Sequence, residues 1–466
     1  MICKCRLTPL ILLAMPIALA AQTFTTLVTF HGPNGSTPNL VNLVQGLDGN
    51  LYGTTLYGGN STACGTNGCG TVFRMTTDGI LTSLHSFHGT DGATPTAGLT
   101  LMASGNLYGI AGGGAKMDAG TVFEITPTGV LHTLHRFCSE TNCTDGEYPY
   151  GALVRAENNG LYGTTLYGGT DNGGTFFEIT PSGTLTTLHT FPRPNRSYHA
   201  DPEVFVQGLA GNLYGTTLYG GKVNNGTLFR ITPGGEVTTF HSFEYSVDGV
   251  NPSGLVAGSD GNLYGITPQG GAFGYGTIFQ AKRDGTVTTL YHFPGGADDG
   301  NPSALIQASD GNFYGTTTFF SNNGFLNNYG SIFKFTLAGT LTTLHTFNGA
   351  DGSYANGLVQ ATDGNLYGIT STGGIDDLGT VYRFSTGLAP FVITVPTSGA
   401  IGSGVEILGT NLTGASVVTF NGAAAAFQVV SATEITATVP VGATTGRVQV
   451  VTPGGTLSSN VAFRVP

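Results

Sequence analysis

Between residues 23 and 387 the apolar residues fall in short runs of strand length, parted by segments rich in Gly, Asn, Asp and Ser. One period, taken from the fifth repeat, holds four such runs, at 254–258, 262–267, 276–281 and 286–293. Ser259-Asp260-Gly261 separates the first from the second, and Arg283-Asp284-Gly285 separates the third from the fourth. Asp-Gly supplies the positive-φ positions of tight hairpins, so each period predicts a four-stranded antiparallel sheet.

The period recurs along the chain. G-N-L-Y-G, or a close variant, places tyrosines at Tyr52, Tyr108, Tyr162, Tyr214, Tyr264, Tyr314 and Tyr367, spaced 56, 54, 52, 50, 50 and 53 residues apart. A second motif, G-[TS]-[VFLI]-[FY], starts at Gly70, Gly120, Gly174, Gly226, Gly276, Gly330 and Gly379. A third, of the type T-L-H-x-F, ends at Phe87, Phe137, Phe191, Phe243, Phe293 and Phe347. Its missing seventh copy stands at the other end of the repeats, as Thr25-Thr26-Leu27-Val28-Thr29-Phe30. Four strands per period of about 52 residues is the mark of a propeller blade. A linear array has no reason to split one repeat between its two ends. The fold expected is therefore all-β: a seven-bladed β-propeller closed by an N-terminal strand.

These motifs carry a resemblance. Through D-G-N-L-Y-G-T-T, Y-G-G and G-T-V-F-x-I-T-P-x-G-x-L-T-T-L-H-x-F, residues 23–387 resemble the GloVer tandem-repeat family of exported bacterial proteins. That likeness implies the fold and no chemistry. The D-G-N-L and I-T-P-x-G layout is more distantly similar to streptogramin-lyase-like propellers, in which Trp usually follows D-G-N-L; this chain has no Trp.

After Leu388-Ala389-Pro390 the repeat stops. Pro396-Thr397-Ser398-Gly399, Val405 to Leu412, Val418-Thr419-Phe420-Asn421-Gly422 and the stretch from Val448 to Gly455 resemble an IPT/TIG domain, an immunoglobulin-like β-sandwich. Val405 and Ile407, then Val448 and Val450, independently set one apolar face at period two. The resemblance implies a spacer, adhesive or docking module. The expected domains are a signal peptide at 1–20, the propeller at 21–387 and the IPT/TIG domain at 388–466.

Composition narrows the setting. Glycine, at 75 of 466 residues, is about twice its usual share, without a collagen period. The formal charge is −11, and only 16 cationic residues are scattered along the chain, so no nucleic-acid partner is expected. Lys4 and Arg6 precede an apolar stretch at residues 7–18, and Ala18-Leu19-Ala20 offers small residues for cleavage. An export signal is the reading, with the mature chain secreted, extracellular or at the cell surface, the periplasm included, and no transmembrane segment remaining. Cys3 and Cys5 leave with the signal. Cys64/Cys69 and Cys138/Cys143 remain, each pair spaced C-x4-C, and read as two local disulfides; a shared zinc site is the alternative.

The tempting chemistry dissolves on inspection. His85, His135, His189, His241 and His345 hold equivalent places in their repeats, with Tyr291 and Val28 at the other two. Equivalent places lie around a ring and cannot converge on one metal, so these side chains read as packing. His31, His88, His132, His199 and His292 break the series. The Asp-Gly aspartates Asp48, Asp260, Asp310 and Asp363 read as turn residues, replaced by Ser104, Asn159 and Ala210 elsewhere. No H-E-x-x-H, P-loop or G-x-S-x-G stands out, and no catalytic residue is assigned. No cofactor or metal is expected; a calcium ion in the central channel has no support in the sequence.

Hairpin logic selects a face. The two short turns of each repeat emerge on one side of the ring, and the longer, variable second-to-third and blade-to-blade loops on the other. The second side is the candidate ligand face. Tyr148, Tyr150, Arg193, Arg196, Tyr198, His199 and Tyr245 belong to it, as do Phe273, Tyr275, Phe319, Phe320, Phe325 and Tyr329. Exposed aromatics beside Asn and Asp suit sugar rings or a protein partner. The expected function is an exported binding or scaffold protein for a glycan or a surface protein. A secreted lyase or hydrolase using the same face, or a structural envelope protein without a ligand, are the alternatives.

Overall fold

The computed structural model describes residues 22–38, 42–156, 158–193, 202–207, 211–282, 284–295, 300–318 and 329–466. The expected signal peptide lies outside them. Seven four-stranded antiparallel sheets come first, numbered here as blades one to seven, with strands a to d running from the innermost to the outermost. Blade five shows the pattern, with strands Ser253–Ala257, Leu263–Thr267, Thr277–Ala281 and Val287–His292. Blade seven takes Ser353–Gln360, Leu366–Thr372 and Thr380–Ser385 from the end of the repeats and Thr23–Thr29 from the start. Thr23 pairs with Ser385 and Thr29 with Thr380.

The borrowed strand reproduces the detail of its equivalents. In every blade the c–d pairing carries a bulge; in blade five it falls at Leu290 and in blade seven at Leu27. The phenylalanine that ends strand d then donates its N–H to the motif glycine of strand c, Phe293 to Gly276 at 3.0 Å and Phe30 to Gly379 at 3.0 Å. Phe30 is fully buried, against Phe73 of blade one.

The Asp-Gly turns are built as the sequence implies. Asp260 accepts the Asn262 N–H (3.0 Å) and the Tyr264 hydroxyl (2.8 Å), so one carboxylate shapes the turn and satisfies the buried phenol. Burial, then the bond to Asp260, pushes the Tyr264 pKa up to about 12. In blade three the turn residue is Asn158, not Asn159 as the sequence alignment placed it. Asn158 bonds Tyr162 and the Gly160 N–H, while Asn159 takes the left-handed position (φ 65°) that Gly49 holds in blade one.

The C-terminal region forms two further four-stranded sheets packed face to face, one including Gly404–Leu408 and Glu434–Thr438, the other Val417–Phe420 and Val448–Thr452. Val405, Ile407, Val448 and Val450 are fully buried in its core, with Phe420 and Phe463. This sandwich docks on the short-turn side of the ring. Leu47 of blade one meets Val395 and Leu408, Thr433 Oγ1 donates to the Leu47 carbonyl (2.8 Å), and Thr410 bonds Thr362 of blade seven (2.9 Å). No helix among the described residues is long and apolar enough to cross a membrane.

Candidate ligand-binding site

The a strands are the innermost of each sheet, and each touches the next around the axis. The circle closes between blades seven and one, where Asn42 Oδ1 accepts the Leu358 N–H and Gln45 Oε1 accepts the Thr362 N–H. Among the described residues, six of the a strands are entered through a repeated stitch. Thr37, Thr94, Tyr148, Asn251, Asn301 and Tyr354 all adopt left-handed backbone, with φ between 48° and 56°. Each donates its N–H to the blade before: Asn301 to Tyr275 (2.8 Å), Tyr354 to Tyr329 (3.1 Å), and Thr37 to Leu378 of blade seven (2.8 Å). Left-handed non-glycine residues are costly, so their repetition marks a rim held by its surroundings.

Inside this rim lies a cavity of about 810 Å³. Every blade contributes to it: Asn42, Thr96, Tyr150, Val206, Ser253, Ser303 and Asn356 are among its walls. It opens where a strands begin and b strands end, which is the long-loop side, opposite the sandwich. The described walls are amides, hydroxyls, Tyr150 and Tyr354, and hydrocarbon from Leu218, Leu255, Leu305 and the prolines. Asn356 and Ser371 are hydrogen-bonded to each other. On blade four, Glu203 pairs with Thr216 at the register that Ser253 holds against Ile266, so its backbone joins the same ring position. The walls can hold a neutral ligand by stacking and by hydrogen bonds.

The residues picked from sequence divide. Tyr150 lines the cavity. Tyr245 and Phe273, 52% and 58% exposed, stand on adjoining loops of the same face, and Arg193 is exposed there too. Tyr148 sits at the rim with its ring edge-on to Tyr167. Tyr275 and Tyr329 turn inward and pack against the blade cores. Arg196, Tyr198, His199, Phe319, Phe320 and Phe325 lie outside the described residues. Sequence reading passed over Tyr354 and the asparagines Asn42, Asn251 and Asn356. Asn251-Pro252-Ser253 and Asn301-Pro302-Ser303 were the available signal: a repeated tripeptide within two residues of a glycine.

Members of the histidine series bond the loops between blades. His135 bonds Asp145 (3.1 Å) and His345 bonds Asp351 (3.0 Å), each aspartate coming from the loop that leads to the next blade. Each ring also lies edge-on to the phenylalanine two residues on, as in His345 with Phe347. Both cysteine pairs are disulfide-bonded, Cys64 to Cys69 and Cys138 to Cys143, and both staple loops of the long-loop face.

The solved structures similar to this chain are distant in sequence. No curated protein matches. A gluconolactonase from Xanthomonas campestris is 15% identical, over 64% of this chain and 88% of its own, with a TM-score of 0.40. A luciferin-regenerating enzyme is 13% identical, over 64% and 94%, at 0.42. The extracellular domain of a proposed hybrid two-component system from Bacteroides thetaiotaomicron is 11% identical, over 96% and 58%, at 0.49. The IPT/TIG domain matches residues 392–465. The Gloeobacter/Verrucomicrobia repeat matches residues 15–202 and 193–382, and with most of its length so covered the chain belongs to that repeat family.

Proposed function

We propose that this is an exported binding protein that captures an uncharged glycan at the long-loop mouth of its ring, with the IPT/TIG sandwich as spacer or docking module. The observation that carries the reading is the 810 Å³ cavity walled by all seven blades with amides, hydroxyls and two tyrosines. Such groups hydrogen-bond sugar hydroxyls, and aromatic rings stack on sugar faces. They do not exchange protons near neutrality, which favours capture over turnover. The sandwich sits on the other side and leaves the mouth open. Tyr245 and Phe273 extend the apolar contact outward for a longer chain or a protein partner.

A glycan array probed with the mature protein tests the proposal. Retention of neutral oligosaccharides is expected, and Tyr150→Ala or Tyr354→Ala should weaken it roughly tenfold or more, the loss of a stacking contact of about 1–3 kcal/mol. Retention unaltered by both substitutions would move the site elsewhere. Silence on the array with capture of a purified surface protein would replace the glycan by that partner.

A further inference from the structure

Four of the loops that join one blade to the next hold a histidine–aspartate pair: His85 with Asp91, His135 with Asp145, His241 with Asp248, and His345 with Asp351. In three of them the residue whose N–H also binds the aspartate is Ser139, Glu244 or Asn348. Between blades one and two it is a second histidine. His88 donates its backbone N–H to Asp91 Oδ1 (2.8 Å) and holds its ring Nδ1 3.7 Å from Asp91 Oδ2, while His85 Nε2 lies 2.8 Å from that same oxygen. The three ligand atoms fall within 4.8 Å of one another.

We propose that His85, His88 and Asp91 form a binding site for a divalent transition-metal ion of the zinc class. Two imidazole nitrogens and one carboxylate oxygen are a donor set that zinc accepts, at bonds of about 2.0–2.2 Å. Tetrahedral placement at those lengths sets ligand atoms about 3.3 Å apart, so His85 and Asp91 part slightly and His88 closes slightly. The carboxylate is already oriented, because Asp91 Oδ1 is occupied by the His88 amide and Oδ2 faces the two rings. The His88 side chain is 62% exposed, leaving the remaining coordination position to water. The other three pairs, with the same histidine and aspartate but no second imidazole, are controls within the same molecule.

The test is calorimetric titration of Zn²⁺ into tag-free mature protein stripped with a chelator. Saturable uptake of about one ion per chain is expected, weakened roughly tenfold or more in His88→Ala, the scale of losing one group from a metal shell. His88→Asn is the second variant, and thermal unfolding without metal checks that both fold as the parent does. At one Zn²⁺ concentration near the parent's dissociation constant, the melting temperature should rise more in the parent than in either variant. Absence of saturable uptake, or equal affinity in the parent and a folded His88 variant, would overturn the site.

Discussion

Tyr108 and Tyr264 occupy the same place in their blades, yet their hydroxyls reach different carboxylates. Tyr264 uses its own turn, through Asp260. Tyr108 has Ser104 in that turn and donates instead to Glu124 on strand c (2.8 Å), as Tyr162 does to Glu178 (3.0 Å). Where the turn keeps its aspartate, the residue facing the tyrosine on strand c is Arg74, Gln280, Lys334 or Arg383. In six blades the two positions trade so that the tyrosine hydroxyl meets a carboxylate; in blade four Tyr214 faces Arg230 and the sequence has Ala210 in the turn. Glu124→Ala should therefore cost about 1–3 kcal/mol, the loss of partners for Tyr108 and Asn106. Adding Ser104→Asp to that variant should recover most of the loss in urea unfolding; no recovery would mean that the carboxylate matters for another reason. Sequence reading took Asp260 for a turn residue, which it is, but the compensating strand position showed only once pairing register was known. A second expectation concerns pH. His345 is stacked on Phe24 at 3.7 Å, and burial holds its imidazole below its ordinary pKa, with Asp351 offsetting only part. His189 is depressed by burial alone. The unfolded chain binds their protons near pH 6.5, so this stability is complete above that pH and is lost as pH falls toward the lower folded values. Melting temperature should drop between about pH 7.5 and pH 5.5, and less steeply in His189→Gln. Equal slopes would assign the acid sensitivity to other groups.

At the scale of an element, the motif glycine of strand c explains why one blade can follow the next so closely. Gly276 has φ of +99°, and a Cβ there would meet the Thr267 carbonyl and lie 2.7 Å from Pro302 Cδ, which enters blade six. Gly70, Gly120, Gly226 and Gly379 face Pro95, Pro149, Pro252 and Pro38 in the same way. The glycine and the proline are thus one contact, read along the sequence as two unrelated motifs. Gly276→Ala should destabilise well beyond the roughly 1–2 kcal/mol of placing alanine in left-handed backbone. Gly339→Ala is the control: its φ is +87°, but nothing lies within 4 Å, so it carries the conformational cost alone. Equal losses in urea unfolding would deny the contact any part. Strands and turns were legible because period-two runs and Asp-Gly turns are local signals. The cavity was not, since its walls are a few residues from each of seven blades and only the ring brings them together.

For the whole molecule, closure joins blade seven to blade one at three radii. Nearest the axis Gln45 accepts the Thr362 N–H (2.9 Å); farther out, Thr37 and Pro38 meet Leu378 and Gly379; at the outside, Thr23–Thr29 pairs with Thr380–Ser385. The split repeat predicted the outermost contact from sequence, and the inner two repeat stitches found between other neighbouring blades, such as Gln360 with Ser309 and Asn301 with Tyr275. The docking of the sandwich over blades seven, one and two was not legible, because Leu47 and Leu408 carry no pattern that distinguishes an interface from a core. Closure from the N-terminus has a consequence that separates it from simple edge capping. Removing residues 22–30 takes away buried Phe30 and leaves the partner strand with an open edge. It also loosens the seam that the sandwich straddles through Thr362 and Leu47. The truncated protein should melt at lower temperature and in separate steps for ring and sandwich. A synthetic peptide of residues 22–31 added in excess should bind and restore the parent transition, since a ligand for the native state stabilises it by mass action. If truncation left melting unchanged, or if saturating peptide restored nothing, the ring would hold without its borrowed strand and closure would rest on the inner contacts alone.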